Sequence, residues 1–154
     1  MTGPYVAVCG PGSATEEEER WAEEVGRRLA EAGAVVVCGG LGGVMDAAAR
    51  GAAAAGGAVV GILPGEDRIG ASEHLTVAIP TGMGEARNAI IARAADAVIA
   101  VGGEWGTLSE IALARKMGKP VVGVATWRFV DRDEDITRAA SPEDAVRQAL
   151  ELLG

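Results

Sequence analysis

Short apolar strands alternate with amphipathic helices along almost all of this 154-residue chain. Strands are predicted at 5–10, 34–38, 58–63, 75–79, 96–101 and 120–125, and helices at 16–32, 44–55, 85–94, 107–117 and 142–153. Strands that are apolar on both faces and separated by helices form parallel sheets, because the crossover helices cover the sheet. We therefore expect one α/β domain over residues 1–154, with a parallel sheet between two helical layers.

The composition narrows the class of partner. A formal net charge of −8 argues against nucleic acid, whose phosphates would be repelled by the excess carboxylates. No apolar run reaches the ~20 residues needed to cross a bilayer, and the first predicted strand leaves no room for a signal peptide. Cys9 and Cys38 lie in predicted strands without metal-ligand spacing, so we interpret them as core residues. We expect a cytoplasmic protein with a small-molecule partner, no nucleic-acid or membrane partner and no metal.

Glycine-rich turns follow two predicted strands: one contains Gly39, Gly40, Gly42 and Gly43, and the other Gly102, Gly103 and Gly106. Such turns also serve packing and tight reversals. Both, however, lie between a strand and a helix, where glycine lets an anion approach the unpaired amides of the first helical turn. Open α/β sheets bind ligands at this edge. We therefore predict an anion site here, with the hydroxyl of Thr107 adding a hydrogen bond.

A third turn, with Gly10, Gly12 and Ser13, follows the first strand. Helix capping by Ser13 or Thr15 is the favoured interpretation, although this turn lies at the same edge and can contribute to a ligand site. The connection 64–73 is long enough either to cover a ligand or to be an ordinary surface loop. The polar segment 127–140 is predicted to be a surface excursion.

Arg87 and Glu110 are the candidate chemical groups. Arginine in the first turn of a helix opposes the helix dipole, so Arg87 needs an anion, supplied either by Glu85 or by a ligand. Glu110 stands three residues after Thr107, the spacing of a capping box, and is equally placed to act beside an anion site. Trp105 either stacks on a base or packs beneath its loop. No serine or cysteine in a nucleophile-elbow motif accompanies the single histidine, so no nucleophilic triad is expected.

Three stretches carry a resemblance to a known superfamily. They are Gly39-Gly40-Leu41-Gly42-Gly43-Val44-Met45, the pair Arg87-Asn88, and Gly102-Gly103-Glu104-Trp105-Gly106-Thr107 through Glu110. Together they resemble the Rossmann-like superfamily that includes the LONELY GUY phosphoribohydrolases. Within it, the segment 82–88, which contains Met83, and the Thr-Leu-Ser-Glu ending are similar to the molybdenum cofactor carrier-like branch. The resemblance runs from the first strand to about residue 124.

The resemblance implies two functions. One is binding of a nucleotide or a molybdenum cofactor-like pterin, with Met83 and Asn88 among the ligand-binding residues and no further cofactor required. The other is hydrolysis of the base–ribose bond of a nucleoside 5′-monophosphate, with Arg87 and Glu110 as catalytic residues. Asn88 stands where the hydrolases have lysine, and Val101 where they have proline. Lysine decarboxylation is not expected, because no lysine is placed to hold an electron sink. The resemblance also implies a homodimer or larger assembly, although the composition is compatible with a monomer.

Overall fold

The computed structural model describes residues 3–154 and contains a sheet of seven strands within them. The strands are β1 (Tyr5–Cys9), β2 (Val35–Cys38), β3 (Val59–Leu63), β4 (Val77–Pro80), β5 (Ala97–Val101), β6 (Val121–Val124) and β7 (Thr137–Arg138). The α-helices are α1 (Glu16–Glu31), α2 (Val44–Ala54), α3 (Asn88–Ala94), α4 (Trp105–Lys116) and α5 (Pro142–Leu153). A short 3₁₀ turn, Gly84–Arg87, leads into α3.

The sheet order creates a crevice beside β1. The strands lie in the order β4-β3-β2-β1-β5-β6-β7, and every pair is parallel. The chain builds outward from β1 to β4 and then returns to place β5 on the other side of β1. This reversal is the topological switch point, where the loops after β1 and β5 diverge and leave space for a ligand.

Alternation along the strands divides the core into two layers. Val6 and Val8 face α1, α2 and α5, whereas Ala7 and Cys9 face α3 and α4. The predicted α/β, Rossmann-like fold with a parallel sheet between helical layers is confirmed. Cys9 and Cys38 are free, belong to opposite layers, and have thiol pKa values raised by burial. Both are therefore inert core residues, as predicted.

Helices α1 and α2 approach each other closely through two glycines. A Cβ atom on Gly26 would overlap the carbonyl oxygen of Ala48, and one on Gly51 would overlap that of Glu23. The backbones are therefore too close for any side chain at these two positions. Each helix contributes one glycine to the contact, so α1 and α2 pack directly against each other over this layer of the core.

Some predicted boundaries change in the structure. The strand predicted at 75–79 lies at Val77–Pro80, a partly exposed edge strand, and α4 begins two residues earlier than predicted. The segment predicted as a surface excursion contains β7, which pairs with β6 and follows the buried Ile136. A two-residue strand is too short to show a periodicity. Within residues 3–154, no helix is long and apolar enough to span a membrane.

Candidate functional site

A cleft of about 220 Å³ opens at the switch point, where the segments after β1 and β5 meet those before α2 and α3. Residues predicted from the sequence that line it are Gly10, Gly12, Arg87, Asn88, Gly106, Thr107 and Glu110. Sequence reasoning did not assign Leu41, Met45, Glu85 or Glu104 to a ligand site, yet they also line it. Each of these four lies within or beside a singled-out motif, and that proximity is the signal that could have found them.

The other residues predicted to bind a ligand lie outside this lining. They are Ser13, Gly39, Gly40, Gly42, Gly43, Met83, Gly102 and Gly103. Ser13 is exposed, and Thr15 caps α1 instead, its Oγ1 accepting a hydrogen bond of 3.1 Å from the Glu18 amide. The loop 64–73 does not line the cleft either, and the Nε of Arg68 donates to the Ala78 carbonyl on the edge strand.

Two of the cleft glycines leave open space. A Cβ atom on Gly106 would meet nothing within 4 Å, and one on Gly12 would meet only the Met45 Cε, at 3.7 Å. Both positions therefore leave room for a group to approach the backbone closely. Gly106 also lies at the start of α4, so this space borders free helical amides.

Several other glycines are required by the protein itself. A Cβ atom on Gly10 would overlap the Val101 carbonyl oxygen, and one on Gly43 would overlap the Pro11 carbonyl oxygen. At Gly39 it would lie 2.8 Å from Nη2 of Arg87. These glycines let the turns pack on one another and on the buried arginine. Their direct effect is to bring the cleft-forming segments together.

The start of α4 presents unpaired donors to the cleft. Its N-cap, Glu104, makes no side-chain cap hydrogen bond, and the Leu108 amide donates to the Glu104 carbonyl at 3.0 Å. The amides of Trp105, Gly106 and Thr107 therefore have no acceptor within the helix. Together with the helix dipole, they favour an anion or another strong acceptor at this point.

Thr107 and Glu110 do not form the capping box that their spacing allowed. Because α4 starts at Trp105, Thr107 lies inside the helix, and both side chains point inward from its buried face. Among residues 3–154, neither Thr107 Oγ1 nor Glu110 Oε2 has a hydrogen-bond partner, although both atoms are buried. The buried face of α4 therefore combines this polar pair with the apolar Ile111 and Ala114.

The Glu110 carboxyl group is largely protonated at neutral pH. Burial raises its pKa to about 8, with Arg87 opposing the rise and Glu85 adding to it. Desolvation is the main cause, since it penalises the charged carboxylate. A neutral carboxyl group can donate a hydrogen bond to a ligand as well as accept one.

Arg87 is buried and held by the protein on one side. Its Nε donates to the Ile62 carbonyl at 3.0 Å, and its Nη1 donates to the Asn88 Oδ1 at 2.6 Å. The nearest carboxylate among the described residues is Glu85, 3.9 Å from Nη1, and its side chain is 85% exposed. Such a solvated partner neutralises a buried charge weakly. The guanidinium therefore leaves a positive potential in the cleft.

Trp105 lies on the outer surface of α4, 76% exposed, and does not line the cleft. Its ring is tilted against Trp127 with centroids 5.1 Å apart, and the Trp127 Nε1 donates to the Glu104 carbonyl at 3.0 Å. Trp105 therefore does not pack beneath its loop, which was one of the two predicted positions, and instead contacts Trp127 beside it. The pair supports the turn that precedes α4.

A parallel sheet with a cleft at its switch point defines the class of Rossmann-like ligand-binding proteins. The sequence model of the SLOG cluster4 family matches residues 3–149, and the chain belongs to this family. The superfamily that was predicted from the glycine turns and from Arg87-Asn88 is thereby confirmed.

Relatives cover nearly the whole chain. An uncharacterized protein of Archaeoglobus fulgidus is 43% identical over 145 residues, which are 94% of this chain and 93% of that protein. The molybdenum cofactor binding protein of Rippkaea orientalis has a similar structure, with a TM-score of 0.94 and 36% identity, covering 100% of this chain and 99% of that one. The molybdenum cofactor carrier protein of Chlamydomonas reinhardtii gives a TM-score of 0.90 and 36% identity, covering 98% of each chain.

Proposed function

We propose that this chain is a cytoplasmic protein that binds a phosphate-bearing small molecule, a nucleotide or a molybdenum cofactor-like pterin, at the switch-point cleft. The observation that carries the proposal is the pair of buried, unpartnered side chains, Thr107 and Glu110, beside the free amides of α4. A buried polar atom without a partner costs about 1–3 kcal/mol, which a ligand hydrogen bond recovers.

The charges of the cleft support an anionic ligand. Arg87 is buried and positive, and Glu110 is largely neutral at pH 7, so the deep part of the cleft carries a net positive charge. Glu85 and Glu104 are exposed at the rim. Their charges are screened by water and salt, whereas the buried charge of Arg87 is screened much less.

The size of the cleft limits what part of the ligand it holds. A volume of about 220 Å³ is below the range of roughly 300–1,000 Å³ typical of sites that enclose a drug-sized ligand. The cleft therefore suits the phosphate end, and the base or pterin ring lies at its mouth. Neighbouring proteins of similar structure are named for molybdenum cofactor binding and carriage, which supports a pterin ligand.

A second candidate function is phosphoribohydrolase activity. It is favoured by Glu110, because a carboxyl group with a pKa of about 8 retains a proton at neutral pH and can act as a general acid. Arg87 would then hold the phosphate, and Glu110 would donate its proton to the departing base while water attacks the ribose carbon. Asn88, which replaces the lysine of the hydrolases, favours binding without turnover.

One experiment separates these functions. The protein is incubated with a panel of nucleoside monophosphates while free base is measured by chromatography, and binding of the same compounds and of isolated molybdenum cofactor is measured by calorimetry. We expect binding without release of base. Base release that disappears in Glu110→Gln but persists in Glu104→Gln, the exposed acid of the same cleft, would establish the hydrolase instead. Failure of every compound to bind would refute both functions.

We also propose that the chain forms a homodimer or a larger homo-oligomer. Val77 and Ile79 of the edge strand are exposed, and their register with Val60 and Ile62 places them on the α3–α4 side of the sheet. Exposed apolar side chains of this kind suit a subunit contact. Light scattering coupled to size-exclusion chromatography should give the mass of a multimer, and this mass should fall in Ile79→Lys.

The predicted single-domain organisation and the ligand roles of Ser13, Met83 and the 39–43 turn stay predictions.

A further inference from the structure

A second and larger cavity lies on another side of α4. This groove, of about 760 Å³, is formed by α4 and the segment 128–136. Leu108 and Ile111 of α4 line it, whereas Gly106 and Glu110 of the same helix line the cleft. The two cavities therefore have separate linings, and the groove belongs to no part of the site proposed above.

The floor of the groove is apolar. Leu108 and Ile111 contribute from α4, and Phe129 and Ile136 contribute from the segment 128–136. Val130 also lines it and is fully exposed to solvent. The volume of the groove lies within the range of roughly 300–1,000 Å³ that holds small organic ligands.

The groove is positively charged although the protein is acidic. Arg115, Lys116, Arg128 and Arg132 line it with only two carboxylates, Asp131 and Asp135, in a chain of net charge −8. Arg128 is paired with Asp133 at 3.2 Å, and Arg132 with Asp135 at 3.5 Å.

Arg115 and Lys116 are the cations that remain available. Neither side chain forms an ion pair within residues 3–154, and their one side-chain hydrogen bond there is donated by Arg115 Nη1 to the Lys119 carbonyl, at 3.1 Å. Cations in the last turn of a helix stabilise it. Helix stabilisation does not account for the open apolar cavity beside them, and an occupant with both an anion and an apolar body does.

We propose that this groove is a second binding site, which takes an organic anion with a ring-sized apolar body. The apolar body lies on Leu108, Ile111 and Phe129, and the anionic group lies between Arg115 and Lys116. Burial of the apolar part supplies affinity at roughly 25 cal/mol per Å² of surface removed from water. The two cations select for an acidic group.

The probe for this site is 8-anilinonaphthalene-1-sulfonate, an aromatic sulfonate whose fluorescence increases in apolar surroundings. We expect one dye per chain, at least 10-fold weaker binding in the double variant Arg115→Glu/Lys116→Glu, and unchanged binding in Arg20→Glu. The control reverses one positive charge, as Lys116→Glu alone does, on the exposed face of α1, which lies in the other helical layer. Sodium sulfate without the aromatic part should not displace the dye at equal concentration.

Two single variants, Lys116→Glu and Gly106→Val, complete the test of the groove. Lys116→Glu breaks no side-chain hydrogen bond within the described residues, so it replaces the double variant if circular dichroism shows that the latter is unfolded. Gly106→Val, in the cleft, should leave dye binding unchanged. Equal dye binding by the wild type and the groove variants would overturn the proposal. So would absence of dye binding together with a fall in oligomer mass in Lys116→Glu, since the groove would then be a contact between copies.

Discussion

The Asn88 side-chain oxygen accepts a hydrogen bond of 2.6 Å from Nη1 of the neighbouring Arg87, and both residues are buried at the bottom of the cleft. A second bond, from the Arg87 Nε to the Ile62 carbonyl, fixes the plane of the guanidinium. The lysine found here in the resembling hydrolases has no acceptor and cannot make the Asn88 contact. Asn88 is therefore a positioning residue for Arg87 that adds no charge of its own.

Asn88→Asp should weaken binding of a phosphate ligand by at least about 10-fold, because the new carboxylate neutralises Arg87 where the anion needs a free cation. The fold should persist, since aspartate is nearly isosteric and pairs with the arginine. Calorimetry with AMP measures the affinity, and urea unfolding measures the stability. Ser109→Asp is the matched control, because it adds the same charge on the exposed side of α4. Equal losses in both variants would contradict the role given to Asn88.

Gly106→Val should remove most ligand affinity while the protein stays folded. The space beside Gly106 contains no protein atom within 4 Å of an added Cβ, so the branched side chain fills the region assigned to the anion. Gly65→Val is the control: it makes the same change in an exposed loop, where the nearest atom lies 3.9 Å away. Unchanged affinity in a folded Gly106→Val protein would show that this turn is structural only.

Affinity for a phosphate ligand should fall as the pH rises through about 8, where Glu110 loses its proton. The resulting carboxylate repels the anion and no longer donates a hydrogen bond. Titrations of AMP between pH 7 and pH 9.5 isolate this effect, because the second phosphate pKa is about 6 and the phosphate is mostly a dianion throughout. In Glu110→Gln the affinity should be independent of pH over this interval, and a slope equal to that of the wild type would assign the titration to another group.

Glu110 should also make stability decrease from weakly acidic to weakly alkaline pH. Its folded pKa of about 8 exceeds the ordinary glutamate value of 4.5, so between these values the native state binds more protons than the unfolded state. The contribution of Glu110 to stability is complete below pH 4.5 and declines by up to about 1.4 kcal/mol per pH unit until the folded pKa is passed. Urea unfolding at pH 5, 6.5 and 8 measures this slope, which Glu110→Gln should reduce. Parallel stability curves for the two proteins would mean that Glu110 is ionised in the folded state.

Gly26→Ala should destabilise the protein by roughly 1–3 kcal/mol or more. This loss is expected even though alanine has a higher helix propensity than glycine, by up to about 1 kcal/mol. The added Cβ would overlap the Ala48 carbonyl oxygen and force α1 away from α2. Gly106→Ala provides the comparison, because the same exchange in α4 meets open space and should not destabilise. Denaturant midpoints measure both variants, and equal midpoints would show that the two helices can separate without cost.

The order of secondary structure and the α/β class follow from the sequence, because hydrophobic periodicity and helix-start signals act over a few neighbouring residues. The strand around Val98 and the helix around Leu29 were both predicted on this basis and are both present. Family membership was also readable, since glycine turns have a fixed local spacing. The edge strand β4 and the two-residue β7 were misplaced or missed, because their pairing depends on neighbours distant in the sequence.

The sequence by itself determined that glycine turns, Arg87 and Glu110 belong to one edge of a parallel sheet, because strand polarity alone places them there. Only the tertiary structure decided what each one does. Gly106 borders open space, whereas the space beside Gly10 is occupied by the Val101 carbonyl oxygen, and the local sequences do not predict this difference. Likewise, Glu110 is a buried, protonated group and not a helix cap, because the start of α4 and the desolvation of its inner face depend on packing against β5 and α3.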